Sequence, residues 1–290
     1  FKVHFTPTHA SWMNLVEVWF GIVERQAIRR GVFTSVKDLN AKICLVTGAA
    51  SGIGRATALK FAAEGAAGVV LADLNETELR KAAAGIDGLA VRCDVGREDE
   101  IQRLVQAARE RFGRVDVFFS NAGIIGEGGP EAPDELWDAM WRIHVMAHMW
   151  AARAVVEPML AAGGGQFIIT ASAAGLLNIV ESAPYGVTKH AAVAFAEWLS
   201  IAYGRRGLDV ACLCPQAVRT GMVPGDGGSA GLDGILSPEA VAGDVVAAMR
   251  DRRFLVLPHP QVLDYMRAKT ADYDRWLGGM QKLFLKANSN

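Results

Sequence analysis

Excess charge of either sign is missing from this 290-residue chain: 30 Lys and Arg stand against 31 Asp and Glu, for a formal net charge of −1. That balance removes the electrostatic case for nucleic acid or an anionic membrane as a general partner. Cysteine is also scarce. The four present, Cys44, Cys93, Cys212 and Cys214, fall on or beside predicted strands and form no regular framework. Cys212 and Cys214 would share one sheet face, and no further Cys or His pair accompanies them. They read as buried free thiols suited to a reducing, cytoplasmic setting. No carboxylate-rich set converges on the histidines, so no metal site is expected. No apolar run reaches membrane-spanning length, and no stretch is laid out as a secretory signal. The chain opens on Phe1 instead of Met, an end expected not to be a natural start. What is plentiful is ordinary: 51% hydrophobic and 21% charged residues, the composition of a globular protein with one sizeable core or a core plus an appendage.

From about residue 41, apolar runs alternate with helix-length segments. Strands are predicted at 42–46, 68–73, 89–93, 115–120, 166–171, 208–214 and 254–257, with helices from Ile53 and Asn75 and a helix-forming tail over 261–286. Near-continuous apolar strands suit a parallel sheet covered by helices on both faces. The expected fold is α/β, a doubly wound parallel sheet (Rossmann fold) in one main domain, with a ligand crevice at the strand C-termini. Residues 225–234 are glycine-rich and expected to be mobile.

Two constellations carry chemistry. The first is the turn Thr47-Gly48-Ala49-Ala50-Ser51-Gly52-Ile53-Gly54, which follows the apolar run 43–46 and opens an alanine-rich helical stretch. In that context backbone N–H groups and a helix N-terminus hold a pyrophosphate. Asp73 ends the second strand nineteen residues after Gly54. A carboxylate there can accept from an adenosine ribose and would repel a 2′-phosphate, favouring NAD, with NADP possible. The competing reading is that Asp73 caps the helix near Glu76. Arg55, a basic residue just after the turn, points weakly towards phosphate. The second constellation is Ser172, thirteen residues before Tyr185, with Lys189 four residues beyond on the same helix face. An ammonium beside a phenol favours the phenolate and brings tyrosine within reach of proton transfer.

In this order and spacing, these residues resemble the short-chain dehydrogenase/reductase family. The resemblance implies that Tyr185 is the general acid/base, that Lys189 lowers its pKa and binds the nicotinamide ribose, and that Ser172 fixes the substrate oxygen. It implies that Asp94-Val95 borders the adenine and that Asn121-Ala122-Gly123 flanks the cofactor. Pro215, Val218 and Thr220 would contact the nicotinamide end, Thr220 at the carboxamide. Asp116 reads as a structural hydrogen-bonding residue. Two departures stand out: Gln216 replaces the usual glycine after the proline, and His144 occupies the place of an asparagine that supports a water chain to the lysine. A neutral imidazole could relay a proton there, making His144 a candidate fourth catalytic member. His148 and His190 read as structural or interface residues. The expected substrate is a small-molecule secondary alcohol or ketone of moderate hydrophobicity, in a mainly apolar pocket formed by Ile124, Ile125, Leu176, Val180, Met222 and Val223 under a flexible cover at 222–236. A homodimer or homotetramer is implied too. The alternative is a dinucleotide-binding protein with little or no turnover.

Residues 1 to about 40 stand apart as a helical appendage. Their sequence resembles the C-terminal end of the catalytic domain of bacterial insertion-sequence transposases with a DDE triad, Glu17 matching the third carboxylate. The two earlier aspartates are absent, and one carboxylate cannot hold two metal ions in fixed geometry. A remnant without activity, bearing a sticky apolar stripe over residues 12–23, is the expectation.

Overall fold

The computed structural model describes residues 39–287, apart from 224 and 226. The transposase-like segment, with Glu17 and its apolar stripe, lies outside the described residues. Seven parallel strands form one sheet in the order β3-β2-β1-β4-β5-β6-β7: β1 Ile43–Thr47, β2 Gly68–Asp73, β3 Leu89–Arg92, β4 Val117–Ser120, β5 Gly165–Thr170, β6 Leu208–Leu213 and β7 Leu255–Val256. The sheet is the predicted doubly wound one. The strand order changes direction between β1 and β4, which pair in parallel as Cys44↔Val117 and Leu45↔Phe118. Such a switch point opens a crevice at the strand C-termini.

The strands are apolar on both faces because both faces are buried. One face packs Leu45, Phe118, Phe167 and Ile169 against helices α3 (Glu98–Phe112), α5 (Ala147–Ala161) and α7 (Ala183–Tyr203). The Phe118 and Phe167 rings stack there at 5.4 Å. The other face packs Val46, Phe119 and Ile168 against α1 (Gly52–Ala63) and α8 (Pro238–Asp251). Asp116 is structural, as expected: it accepts from the Ile43 N–H at 2.9 Å and pairs with Arg114. The shorter α2 (Glu76–Ala84) follows β2, α4 (Asp134–Trp141) runs into a π-helical turn, Arg142–Met146, that joins it to α5, and the one-turn α6 (Ala174–Leu177) precedes α7.

One expectation needs correcting. The tail is not one helix. It breaks at Asp272, whose backbone is extended (φ −153), into α9 (Gln261–Ala271) and α10 (Tyr273–Ala287). The glycine-rich cover is anchored over its second half, where Glu181 accepts from the Ser229 N–H at 2.8 Å and its hydroxyl at 2.7 Å. Leu236 exchanges backbone hydrogen bonds there with Ala217 and Arg219.

Candidate active site

A cleft of about 360 Å³ lies across the C-terminal ends of β1, β2, β4 and β5. Its phosphate end is built from glycine. Gly48 and Gly52 take left-handed φ of +66 and +53, which L side chains rarely adopt. A Cβ on Gly54 would sit 2.1 Å from the Gly48 carbonyl oxygen, and one on Gly52 would meet Thr220 Cγ2 at 2.8 Å. The turn therefore closes only with these residues. Ser51 precedes α1 without a side-chain cap, and no acidic residue occupies the first turn. By contrast, α2 opens with Glu76 and Glu78, and α3 with three acidic residues. The positive end of α1 is thus left for an anion.

Ser51 and Ile53 line the cleft beside these glycines, and Asp73, Asp94 and Val95 line its far side. Asp73 does not cap α2; Asn75 does, accepting from the Glu78 N–H. The Asp73 carboxylate instead accepts from the Ala50 N–H and the Asn75 N–H, both at 3.0 Å, tying strand β2 to the glycine turn. Asn121, Ala122 and Gly123 form the floor. Thr47, which sequence reasoning passed over, braces them: its hydroxyl accepts from the N–H groups of Asn121 and Ala122 at 2.9 and 3.2 Å. The Asn121 amide is held by the Thr47 carbonyl and the Thr170 hydroxyl. Of the cofactor-site candidates, only Gly54 stands behind the lining, where it makes room for the turn.

Ser172, just after β5, and Tyr185 and Lys189, on the first turns of α7, come together at the other end of the cleft; Pro215 and Val218 also line it, and Thr220 lines it beside Gly52. Ser182 caps α7 by accepting from the Tyr185 N–H. Ser172 Oγ accepts from the Ala174 N–H at 3.1 Å. Lys189 is buried and donates to the Thr170 carbonyl at 3.0 Å, its Nζ 5.5 Å from the centre of the Tyr185 ring. Burial lowers the Lys189 pKa to about 8. Burial also raises the Tyr185 phenol above its ordinary value, while the Ser172 hydroxyl pulls it down. Burial thus favours the protonated phenol in this geometry.

His144 does not line the cleft. It sits behind it, fully buried in the π-helical turn. Its Nε2 accepts from the Ile124 N–H at 3.1 Å, so Nδ1 carries the proton and donates to the Thr188 hydroxyl at 2.9 Å. Thr188 in turn donates to the Pro184 carbonyl at 2.8 Å. The imidazole stands edge-on to the Tyr185 ring, centroids 5.4 Å apart. Burial first, then the charge of Lys189, holds its pKa well below the usual imidazole value. The neighbouring His148 is also buried, with Nδ1 2.7 Å from Ser120 Oγ.

The apolar residues expected around the substrate divide. Ile124, Met222 and Val223 line the cleft, whereas Ile125 is exposed and Leu176 packs with Val262 below it. Among the described residues no cluster of His, Cys, Asp and Glu could hold a metal, and no helix is long and apolar enough to cross a membrane.

Residues 42–227 match the family model described as short chain dehydrogenase. The chain is 32% identical over 234 residues to epidermal retinol dehydrogenase 2 of Mus musculus, covering 77% of this chain and 75% of that protein. Its fold superposes with a TM-score of 0.76 on a short chain dehydrogenase/reductase from Burkholderia phymatum in complex with NAD, at 30% identity over 82% of this chain and 95% of the other. It also superposes on L-sorbose reductase of Gluconobacter frateurii, complexed with NADPH and L-sorbose, with a TM-score of 0.67 and 27% identity over 75% and 95% of the two chains.

Proposed function

The chain belongs to the short-chain dehydrogenase family, and on that premise we propose that it interconverts a secondary alcohol and a ketone with NAD as the preferred dinucleotide. The observation that carries this reading is the meeting of buried Ser172, half-buried Tyr185 and buried Lys189 at one end of a cleft whose other end is the glycine turn. The cradle fits a dinucleotide: its glycines admit close backbone approach, and the N-terminus of α1 is free of acid. Nicotinamide, when bound, supplies or accepts the hydride.

The chain's own residues move the proton and hold the geometry. In the reducing direction Tyr185 donates its phenolic proton to the carbonyl oxygen as the hydroxyl forms. The raised phenol pKa keeps that proton available. Ser172 donates to the same oxygen and fixes its position. Lys189, ionised over much of the neutral range, would hold ribose hydroxyls and stabilise the phenolate left behind. Oxidation runs the same transfers backwards. His144 positions these groups through Ile124 and Thr188 without exchanging protons.

NAD is favoured because Asp73 faces the cleft and Lys189 is the only cation lining it among the described residues. A homodimer or homotetramer belongs to the same proposal, supported by the exposed Trp198 and Ile201 on α7. So does a cytoplasmic location, supported by four buried free thiols. A panel of secondary alcohols and ketones with NAD and NADP, followed at the absorbance band of reduced nicotinamide, tests the reading. NAD binding without turnover across the panel would establish the alternative, a dinucleotide-binding protein.

A further inference from the structure

Ser172 and Gln216 line two cavities at once. One is the dinucleotide cleft; the second, of about 260 Å³, runs from them to the α10 side chains Trp276, Met280 and Leu283. Gln216 is therefore wall to both. Its neighbours are held by backbone: the Pro215 carbonyl accepts from the Ala173 N–H at 2.8 Å, and the Ala217 N–H donates to the Ala230 carbonyl at 3.1 Å. The Gln216 N–H has no backbone acceptor among the described residues. It donates instead to His259 Nδ1 at 3.3 Å, across 43 residues of sequence.

His259 is rigidly mounted for that contact. Pro258 and Pro260 bracket it. Proline fixes its own φ and biases the residue before it towards extended backbone. The His259 carbonyl accepts from the Val262 N–H at 3.2 Å, in the first turn of α9, and only 2% of the residue is exposed. With Nδ1 accepting, the ring proton sits on Nε2, which donates to the Gly234 carbonyl at 3.3 Å, near the end of the cover. Burial lowers the imidazole pKa, against the opposing pull of the Gly234 carbonyl, Asp233 and Asp244. The neutral form, which alone has an acceptor for Gln216, is therefore the one present at neutral pH.

Resting on the dinucleotide reading, we propose that His259 is a positioning residue for the dinucleotide cleft: Nδ1 fixes the main chain at Gln216, and Nε2 ties that wall to the cover at Gly234. His259 lines neither cavity, so it acts through Gln216 and not by contact.

Two substitutions separate the arms, since an asparagine oxygen stands near the place of Nδ1 and a glutamine nitrogen near that of Nε2. The full chain is titrated with NADH, whose fluorescence reports binding without turnover. His259→Asn keeps an acceptor for Gln216 and should leave the dissociation constant within about twofold of the unaltered protein. His259→Gln loses that acceptor and should raise the constant about fivefold, the scale of one hydrogen bond. A dissociation constant reports folded molecules, so lowered stability alone does not move it. Equal constants in the two variants, or weaker binding in His259→Asn than in His259→Gln, would overturn the proposal. Hydrogen exchange adds a measurement that needs no variant: the Gln216 amide of the unaltered protein should be protected, and free exchange there overturns the proposal. If NADH does not bind the unaltered protein, the dinucleotide reading fails, and exchange in the variants judges the positioning alone. Protection kept in His259→Asn and lost in His259→Gln upholds it; equal protection overturns it.

Discussion

His144 Nδ1 lies 2.9 Å from Thr188 Oγ1 while Nε2 accepts from the Ile124 N–H, and the two contacts together commit the imidazole to one tautomer. No ring position is left to exchange a proton with the cleft. The pH–rate profile should therefore lack a histidine step near pH 6.5. His144→Asn should change kcat by less than about tenfold while leaving the profile's shape intact. A step near 6.5 that vanishes in the variant would restore His144 as a relay.

Tyr185→Phe deletes the proton donor and little volume. Turnover should fall at least a hundredfold, the usual scale for a lost general acid. Dinucleotide affinity, followed by fluorescence titration, should change by no more than about threefold. Lys189→Ala should damage both quantities. Near-normal turnover in the phenylalanine variant would remove tyrosine from the mechanism.

Asp73→Ala should narrow the preference for NAD over NADP by roughly tenfold, about 1.4 kcal/mol. It also releases the N–H groups of Ala50 and Asn75, so a stability loss of about 1 kcal/mol should accompany it. Equal affinities for the two dinucleotides in the unaltered protein would defeat the NAD assignment.

Acid should unfold the protein through its buried imidazoles. Burial lowers the His148 pKa to about 3, below its unfolded value near 6.5. The unfolded chain therefore binds the extra proton between these pH values, and stability is lost as pH falls through that window. At pH 5 the loss is roughly 2 kcal/mol from this residue alone. His148→Gln should show a smaller drop in Tm between pH 7 and pH 5 than the parent; identical drops would exclude the histidine as a source.

Removing residues 1–38 should leave dinucleotide binding and a cooperative melt, because the described sheet and both cavities are built from residues after them. We propose that this segment is a transposase-like remnant without activity, and the dehydrogenase domain begins near residue 41. Circular dichroism melts of the shortened chain decide the point, loss of cooperativity being the adverse result.

The strands were legible because their apolar runs span both buried faces; β2 matches its predicted bounds and the others shift by only one or two residues. The glycine turn and the Ser–Tyr–Lys set were legible because backbone conformation and helix spacing are local properties. The break at Asp272 was not, since no glycine or proline marks it. Nor was the π-helical turn that buries His144, whose partners Ile124 and Thr188 are 20 and 44 residues away. The second cavity was hidden for the same reason: Ser172 meets Asp233 and Trp276 only through tertiary packing.

Helix α10 closes that cavity with Trp276, Met280 and Leu283, yet none of its residues is buried. A helix so lightly attached detaches at a small fraction of the free energy needed to unfold the sheet. A ligand touching those three side chains would favour the docked helix. Long or bulky ligands thus gain twice, by contact and by recruitment of their own wall, while short ones leave the helix to its own equilibrium. Selection among ligands of that cavity would then depend partly on how readily one helix peels away.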